Sequence, residues 1–491
     1  MKHTLILLFA SALLHPQVSG VVIDVETTQP LASVNITSKE SGTATDENGR
    51  YSLDVPIGEQ LTISHIGYSK IIIFAETEMI IELKPLVIKS NEIIVQGGLK
   101  QESLQRSTSS VTVYDKEEIR RTDGNHFQDI METIPNLNAA GGTSRPRYFQ
   151  IRGIGERSHY FAEGPPNFSV GFVIDDIDLS GLGMAGLLYD LEQVEVFKGP
   201  QSAMYGPNAL AGLISMQSTK PDNEFDVNLR LTRGTDNIQR FNGMINVPLG
   251  KAFALRVAME SGTSDGFREN KFLDITNSNS RKENFIREKL LFTPNDNFQA
   301  ILTSFRAVLD NKYDTWAPDN NEDLFTYTNQ LGIDSQETHA FSLRANYIKN
   351  KLNATFITSR SETDLVHAYD GDWGNDDYWF QEPYFFDPNV TYWEYEFFDS
   401  TARNRTNQTR EGRVNYGDIV VGYYIKSLEE RDNASGWLYG GDATLAKSIF
   451  SFNVSAIYGQ IDKQISNRLK ILANVRKESN EISYVGTASY F

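Results

Sequence analysis

Asp190-Leu191-Glu192-Gln193-Val194-Glu195-Val196-Phe197-Lys198-Gly199-Pro200-Gln201-Ser202-Ala203-Met204-Tyr205-Gly206 decides the reading of this chain. Leu191 to Phe197 is an apolar, β-branched run with charges set into it, which predicts a strand that is largely buried. Gly199-Pro200 then breaks the strand and Gly206 offers a second turn. Glu195 and Lys198 need partners there, because a buried charge is costly unless it is paired. Arg152 poses the same question upstream, in Phe149-Gln150-Ile151-Arg152-Gly153-Ile154-Gly155.

Further segments flank this stretch in order. Val111-Thr112-Val113 leads into an acidic helix start at Asp115–Ile119, and Phe127 to Asn136 follows. Val173-Ile174-Asp175-Asp176-Ile177 lies between Arg152 and the decisive stretch, and Asn208 to Ile214 closes the series. Gly153, Gly155, Gly199, Gly206 and Gly212 fit turns that need positive φ. The ordered set resembles the plug domain of TonB-dependent outer-membrane receptors over residues 111–222, with Asp176 where many relatives have Gly and Pro207 where many have Arg. The resemblance implies that Arg152, Gly153, Asp175, Glu195, Lys198, Gly199, Tyr205 and Gly206 are structural. Inside a barrel lumen, Arg152, Glu195 and Lys198 would pair with wall residues.

Upstream, residues 18–86 alternate short apolar runs with turn chemistry, as in Thr45-Asp46-Glu47-Asn48-Gly49-Arg50-Tyr51-Ser52-Leu53. They resemble the carboxypeptidase-regulatory-like β-sandwich that precedes many such receptors, and this implies no peptidase activity. The seven His residues form no HExxH or HxxE pair. Between the two domains, residues 87–110 read as a linker carrying the β-forming cluster Glu92-Ile93-Ile94-Val95-Gln96. Such a strip suits strand addition to a partner's sheet edge. With the plug recognised, the resemblance makes it the candidate TonB box, which pairs with a TonB-type energy-transducing protein. At the extreme N-terminus, Lys2 and His3 precede the apolar run Leu5–Leu14, the layout of a cleaved export signal over residues 1–17.

Downstream, residues 223–491 carry period-two alternation, as in Phe253-Ala254-Leu255-Arg256-Val257-Ala258 and Ala340-Phe341-Ser342-Leu343-Arg344-Ala345. Apolar-out, polar-in alternation predicts a transmembrane antiparallel β-barrel of about 12 strands, the last two over 466–476 and 481–490. The mean hydropathy of −0.38 and the single long apolar run, at the N-terminus, exclude spanning helices and leave a barrel open. The formal net charge of −18 argues against nucleic acid as a partner. The absence of Cys excludes disulfides and thiolate metal sites.

The family's barrels have about 22 strands, the number that lets a lumen hold a plug. The count here, the poor parity of the residues before Phe491, and a mid-barrel resemblance of Tyr458-Gly459-Gln460 with Asn467-Arg468-Leu469 together predict that about ten terminal strands are lacking.

The segment Asp364–Asp399 is the candidate ligand loop. It carries Trp373, Tyr378, Trp379 and Phe380, then Tyr384, Phe385, Phe386, Tyr392, Trp393 and Tyr395, with many acidic residues and no Lys or Arg. Long loops of such barrels lie outside, and aromatic faces give contact area at low entropy cost. The alternative is a loop packed on its own aromatics. Asp370-Gly371-Asp372 with Asn375-Asp376-Asp377 has oxygen donors for Ca²⁺ but lacks the twelve-residue loop with a distal Glu, so no metal site is assigned. Arg145, Arg147 and Arg157 are the candidate contacts for an anionic solute deeper in.

The expected function is a Gram-negative outer-membrane receptor. It sits in outer-membrane lipid and imports a scarce large solute, a ferric siderophore or other iron complex above all, with no cofactor and no enzymatic role. A non-transporting binding or adhesion protein, or an inactive truncated receptor, is the alternative. A soluble secreted enzyme lacks any catalytic constellation to support it.

Overall fold

The computed structural model describes residues 17–25, 27–85, 93–99, 102–139, 142–156, 168–201, 209–386, 395–438, 441–442, 446–466 and 469–488. The expected export segment therefore lies almost wholly outside the described residues. The chain divides into two compact units, residues 1–92 and 93–491.

The first unit is a β-sandwich. Its strands are β1 (Gln17–Asp24), β2 (Asn35–Thr37), β3 (Gly42–Ala44), β4 (Arg50–Asp54), β5 (Gln60–Ser64), β6 (Ile71–Phe74) and β7 (Glu78–Leu83). One sheet has the order β4-β1-β7 and the other β3-β2-β5-β6. Val22, Ile36, Leu53, Leu61, Ile63 and Leu83 are buried in the shared core. The period-two pattern is why each strand contributes one apolar face to it. The Asp46 carboxylate accepts the Asn48 and Arg50 amides at 2.9 and 2.8 Å and closes the expected turn.

The second unit opens with β8 (Ile94–Val95) and β9 (Glu102–Ser103), an antiparallel pair. Residues 93–99, within the linker expected over 87–110, are thus folded, with Val95 and Leu99 buried. Apolar side chains at Val95 and Leu99 give the segment a face to bury.

The plug follows with β10 (Val111–Asp115), α1 (Lys116–Arg121), α2 (Phe127–Met131), β11 (Leu137–Ala139), β12 (Phe149–Ile151), β13 (Ile154–Gly155), β14 (Val170–Ile174), β15 (Ile177–Asp178), β16 (Leu191–Lys198) and β17 (Gly212–Ser218). Helix α1 starts on a capping box: Asp115 accepts the Glu118 amide at 2.8 Å and Glu118 accepts the Asp115 amide at 3.0 Å. A five-stranded sheet of order β10-β16-β17-β14-β15 packs through Phe172 on Phe149, 5.4 Å away, and Phe149 lies 5.3 Å from Phe127. The decisive stretch forms β16, buried on both faces from Gln193 to Phe197. That explains its near-continuous apolar character.

The remainder is an antiparallel sheet of eleven long strands. They are β18 (Asp226–Arg233), β19 (Gln239–Pro248), β20 (Phe253–Ser264), then, after the two-residue β21 (Glu269–Asn270), β22 (Arg281–Asn295) and β23 (Phe298–Tyr313). After β24 (Phe325–Thr326) come β25 (Gly332–Lys349) and β26 (Leu352–Asp370), the short α3 (Asp376–Trp379), β27 (Phe397–Tyr416) and β28 (Ile419–Leu438). Past β29 (Gly441–Asp442), β30 (Ala446–Ser466) and β31 (Leu469–Ala488) complete the sheet, whose two ends are β18 and β31.

The expected strands 466–476 and 481–490 are one element, β31. The polar run Lys477-Glu478-Ser479-Asn480, left between them as a turn, pairs in register with β30. Asp364–Asp370 and Phe397–Asp399, expected in the aromatic loop, are also strand, with Asp364–Asp370 pairing with Phe398–Asn404. The ligand loop is therefore residues 371–396.

Alternation sets the faces. On β28, Val421, Tyr423 and Ile425 point away from the plug and are exposed. On β20 and β22, Arg256, Glu260, Glu283, Arg287 and Lys289 are buried toward it. Connections at one end are short: 249–252, 296–297, 350–351 and 417–418. At the other end they include 265–280, 314–331 and 371–396.

Candidate functional site

Three groups of residues make up the candidate site. The first is the turn joining β14 to β15. Asp175 and Asp176 have φ of 47° and 69°, both in the left-handed region that a two-residue I′-type hairpin turn demands. Asp is one of the few residues that tolerates this conformation. The turn drives its carboxylates at the wall. Asp175 meets Lys289 Nζ at 2.8 Å and Arg287 Nε at 3.7 Å, and it also accepts the Ser218 amide at 2.9 Å and hydroxyl at 2.7 Å. Asp176 takes Arg344 side-on, with Nε at 2.7 Å. Asp178 meets Lys426 Nζ at 2.6 Å, and the Asn407 amide donates to its carbonyl at 2.9 Å. Burial alone would raise the Asp175 and Asp178 carboxyls, but Lys289 with Arg287, and Lys426, outweigh it and hold both down to about 2.

The second group is the loop before β12. Arg145 Nε and Nη2 donate to Glu283 at 2.9 and 2.8 Å. Arg147 donates to Asp334, which also accepts the Ser144 amide at 2.5 Å and faces His367 Nδ1 at 3.2 Å. Both arginines are buried and neutralised by wall carboxylates. They hold the plug to the wall and present no open charge to an anion, contrary to the role considered for them. Arg157 lies outside the described residues. Beside Arg145, His126 caps α2: its Nδ1 accepts the Gln128 amide at 3.1 Å. Burial first, then the Arg145 charge, keeps that imidazole neutral by lowering it to about 3. Asp190, which ends the loop before β16, is gripped by Arg256 at 2.8 and 2.6 Å.

The third group surrounds β8. Glu195, 0% exposed, was expected to pair with the wall. Among the described residues it has no basic partner. Its two oxygens accept the backbone amides of Gln96 and Gly97 at 2.5 and 2.7 Å, and the Gln193 side-chain amide at 2.7 Å. Gln193 also donates to the Ile94 carbonyl at 2.9 Å. Burial raises the Glu195 carboxyl, against the pull of these three donors. Arg152 and Lys198 likewise have no carboxylate partner among the described residues. Arg152 is exposed, its Nη1 beside Gly199.

Gly153, Gly155 and Gly199 take the positive φ expected, at 78°, 147° and 121°. Gly212 does not. A Cβ there would sit 2.2 Å from the Phe197 carbonyl oxygen, so the close approach of β16 is what demands glycine. Glu92, Tyr205 and Gly206 lie outside the described residues. Leu99, three residues past Gln96, packs on Val420 and Tyr458, next to the short turn 417–418. The strip Ile93–Gln96 is therefore at the short-turn end. An open cleft runs between plug and wall from the Asp175–Asp178 turn to Gly97.

At the opposite end the loops are stapled together. β21 pairs with β24, the Asn270 side-chain amide donates to Asp314 and to Thr328, and Asn375 donates to the Tyr327 carbonyl at 2.6 Å. Trp379 is 7% exposed. Tyr378, Tyr384, Phe386 and Tyr395 surround it, and its Nε1 donates to Asp372 at 3.0 Å. This part of the loop packs on its own aromatics, with Tyr378 half-buried. Asp370, Asp372 and Asn375 spend their oxygens on backbone amides of this loop, of Gln330 in the neighbouring connection and of Phe397 at the start of β27. Trp373 and Phe380 point outward. Trp373 is 40% exposed and stacks at 5.8 Å on Trp316, 46% exposed, which composition alone had not singled out.

Residues 103–213 match the family described as TonB-dependent Receptor Plug Domain, and residues 18–95 the CarboxypepD_reg-like domain. The vitamin B12 transporter BtuB of Vibrio vulnificus strain CMCP6 is 24% identical over 195 residues, 38% of this chain and 30% of that protein. The strain YJ016 protein of the same name is 21% identical over 301 residues, 58% and 44% of the two chains. The match thus spans less than half the length of these curated relatives. Among solved structures, the ferric yersiniabactin uptake receptor FyuA from Yersinia pestis superposes with a TM-score of 0.63 at 14% identity, over 77% of this chain and 61% of that one. The outer-membrane ferripyoverdine receptor of Pseudomonas aeruginosa gives 0.58 at 12%, over 86% and 62%.

Proposed function

We propose that this chain, which carries a TonB-dependent receptor plug domain over residues 103–213, is a receptor of that kind and imports a scarce large solute across a Gram-negative outer membrane. An iron chelate is the solute class favoured by the family resemblance, and the exposed Trp316–Trp373 stack suits one with planar or apolar faces. Residues 1–17 direct export. The solute docks on the long-loop end, and a TonB-type partner pairs with Ile93–Gln96 at the other. The observation that carries this reading is the extended strip Ile94–Val95, held on the plug at the short-turn end and within reach of a periplasmic partner.

The test is uptake of labelled ferric chelates by cells lacking and carrying the protein. Uptake is expected only in carriers with an energised partner. Ile94→Pro should abolish it, because proline removes a ladder donor and cannot sit inside a central strand. Normal uptake by that variant would sink the strip assignment, and chelate-independent behaviour would sink the iron reading.

A further inference from the structure

Both edges of the strip carry hydrogen bonds. Along a strand, successive residues present their backbone groups to opposite sides. The Ile93 carbonyl accepts the Leu104 amide at 2.8 Å, and Val95 opposes Glu102, so this edge belongs to β9. The other edge includes the Ile94 carbonyl and the Gln96 amide. Both are taken by side chains of the plug strand β16, the carbonyl by Gln193 at 2.9 Å and the amide by Glu195 at 2.5 Å. Gln96 returns a bond from its own side chain to Gln193 Oε1 at 3.3 Å.

Resting on the reading of Ile93–Gln96 as the partner-pairing strip, we propose that Gln193 and Glu195 form a clasp that occupies the edge of that strip where a partner strand would add. The two side chains, two residues apart on β16, supply a donor and an acceptor where a neighbouring strand would supply backbone groups. Partner pairing must therefore exchange side-chain hydrogen bonds for backbone ones, and β16 governs when that exchange is open.

Gly97 independently fits the clasp. A Cβ there would lie 2.7 Å from Glu195 Oε2 and 2.8 Å from the Phe197 ring. Only a bare backbone lets the Gly97 amide reach the carboxylate, so Gly97→Ala should pry the clasp open from the strip's side with the carboxylate intact. Val95, 2% exposed, seats the strip on Val113, Phe197 and Leu213. Its burial reports whether the strip is down. The adjacent cleft, which both Gln96 and Gly97 line, gives the released strip room to move.

Because the chain has no Cys, Val95→Cys places one thiol in the full-length protein. Its modification by a water-soluble maleimide is followed in outer-membrane vesicles without the partner. Glu195→Ala and Gly97→Ala should each speed modification about tenfold or more, since each breaks buried hydrogen bonds that hold the strip. Glu195→Gln should fall between, and Glu192→Ala, at an exposed position on the same strand, should leave the rate unchanged. Unchanged rates in both Glu195→Ala and Gly97→Ala overturn the clasp, even if Ile94→Pro still blocks uptake. Faster rates support the clasp, even if site-specific cross-linking then finds no pairing of the strip with a TonB-type partner, which overturns the strip assignment alone.

Discussion

Asp176 occupies a position where glycine would serve the backbone better, and its side chain accounts for the exchange. With φ at 69°, an Ala here would cost about 1–2 kcal/mol of left-handed strain. Asp tolerates the conformation and gains the ion pair to Arg344. Asp176→Gly should therefore keep the turn and lose only the pair, whereas Asp176→Ala should lose both and melt lower in detergent; equal melting of the two variants would refute the strain argument. Glu283 gives a larger effect. Glu283→Ala strands the Arg145 guanidinium in the interior, where an uncompensated charge costs about 3–5 kcal/mol. Earlier protease nicking of the 142–148 loop should report it. Charges inside apolar strands marked Glu195 as a residue in need of a partner, and that much was readable from sequence. Its actual partners, two backbone amides 99 and 98 residues away, were not, because no side-chain pattern advertises an amide.

The turn between β14 and β15 acts as one element. Asp175 and Asp178 both ionise at about 2 in the folded plug against an ordinary 3.8. A depressed carboxyl contributes stability that is fully present above the unfolded value and is lost as pH falls through the folded one. Plug docking should hold from neutral pH to about 4 and weaken between about 4 and 2. Protease susceptibility of the plug against pH checks this; loosening that begins at pH 6 would mean other groups govern docking. Lys289→Met and Lys426→Met should each shift the loss to higher pH. At this scale alternation carried most of the strand assignments, since β20, β22 and β23 present buried and less buried residues in turn. It failed in β31. Nearly every described side chain there is exposed, so burial imposes no period on the sequence and a polar run imitates a turn.

For the molecule as a whole, the proposed function takes its orientation from the contrast between short and long connections and assigns solute contact to the long end. Two tryptophans six residues apart have opposite roles. Trp379→Ala removes the centre of the loop's own core, a loss of about 3–5 kcal/mol, and should leave residues 371–386 protease-sensitive. Trp373→Ala removes an exposed face stacked on Trp316 and should weaken solute uptake without changing loop protection. If both variants behaved alike, the division between packing and contact would be wrong. Composition located this aromatic cluster but could not separate the two roles, because Trp is used equally for cores and for contact.

The orientation itself is testable on the Cys-free chain. Asp323→Cys, exposed in the 314–331 connection, and Asp296→Cys, exposed in the two-residue turn 296–297, report opposite ends of adjacent strands. In intact cells a membrane-impermeant maleimide should label Asp323→Cys and spare Asp296→Cys. After the outer membrane is permeabilised both should label at similar rates. Labelling of Asp296→Cys in intact cells would invert the sheet, move Ile93–Gln96 to the outer face, and remove the physical basis for a periplasmic partner.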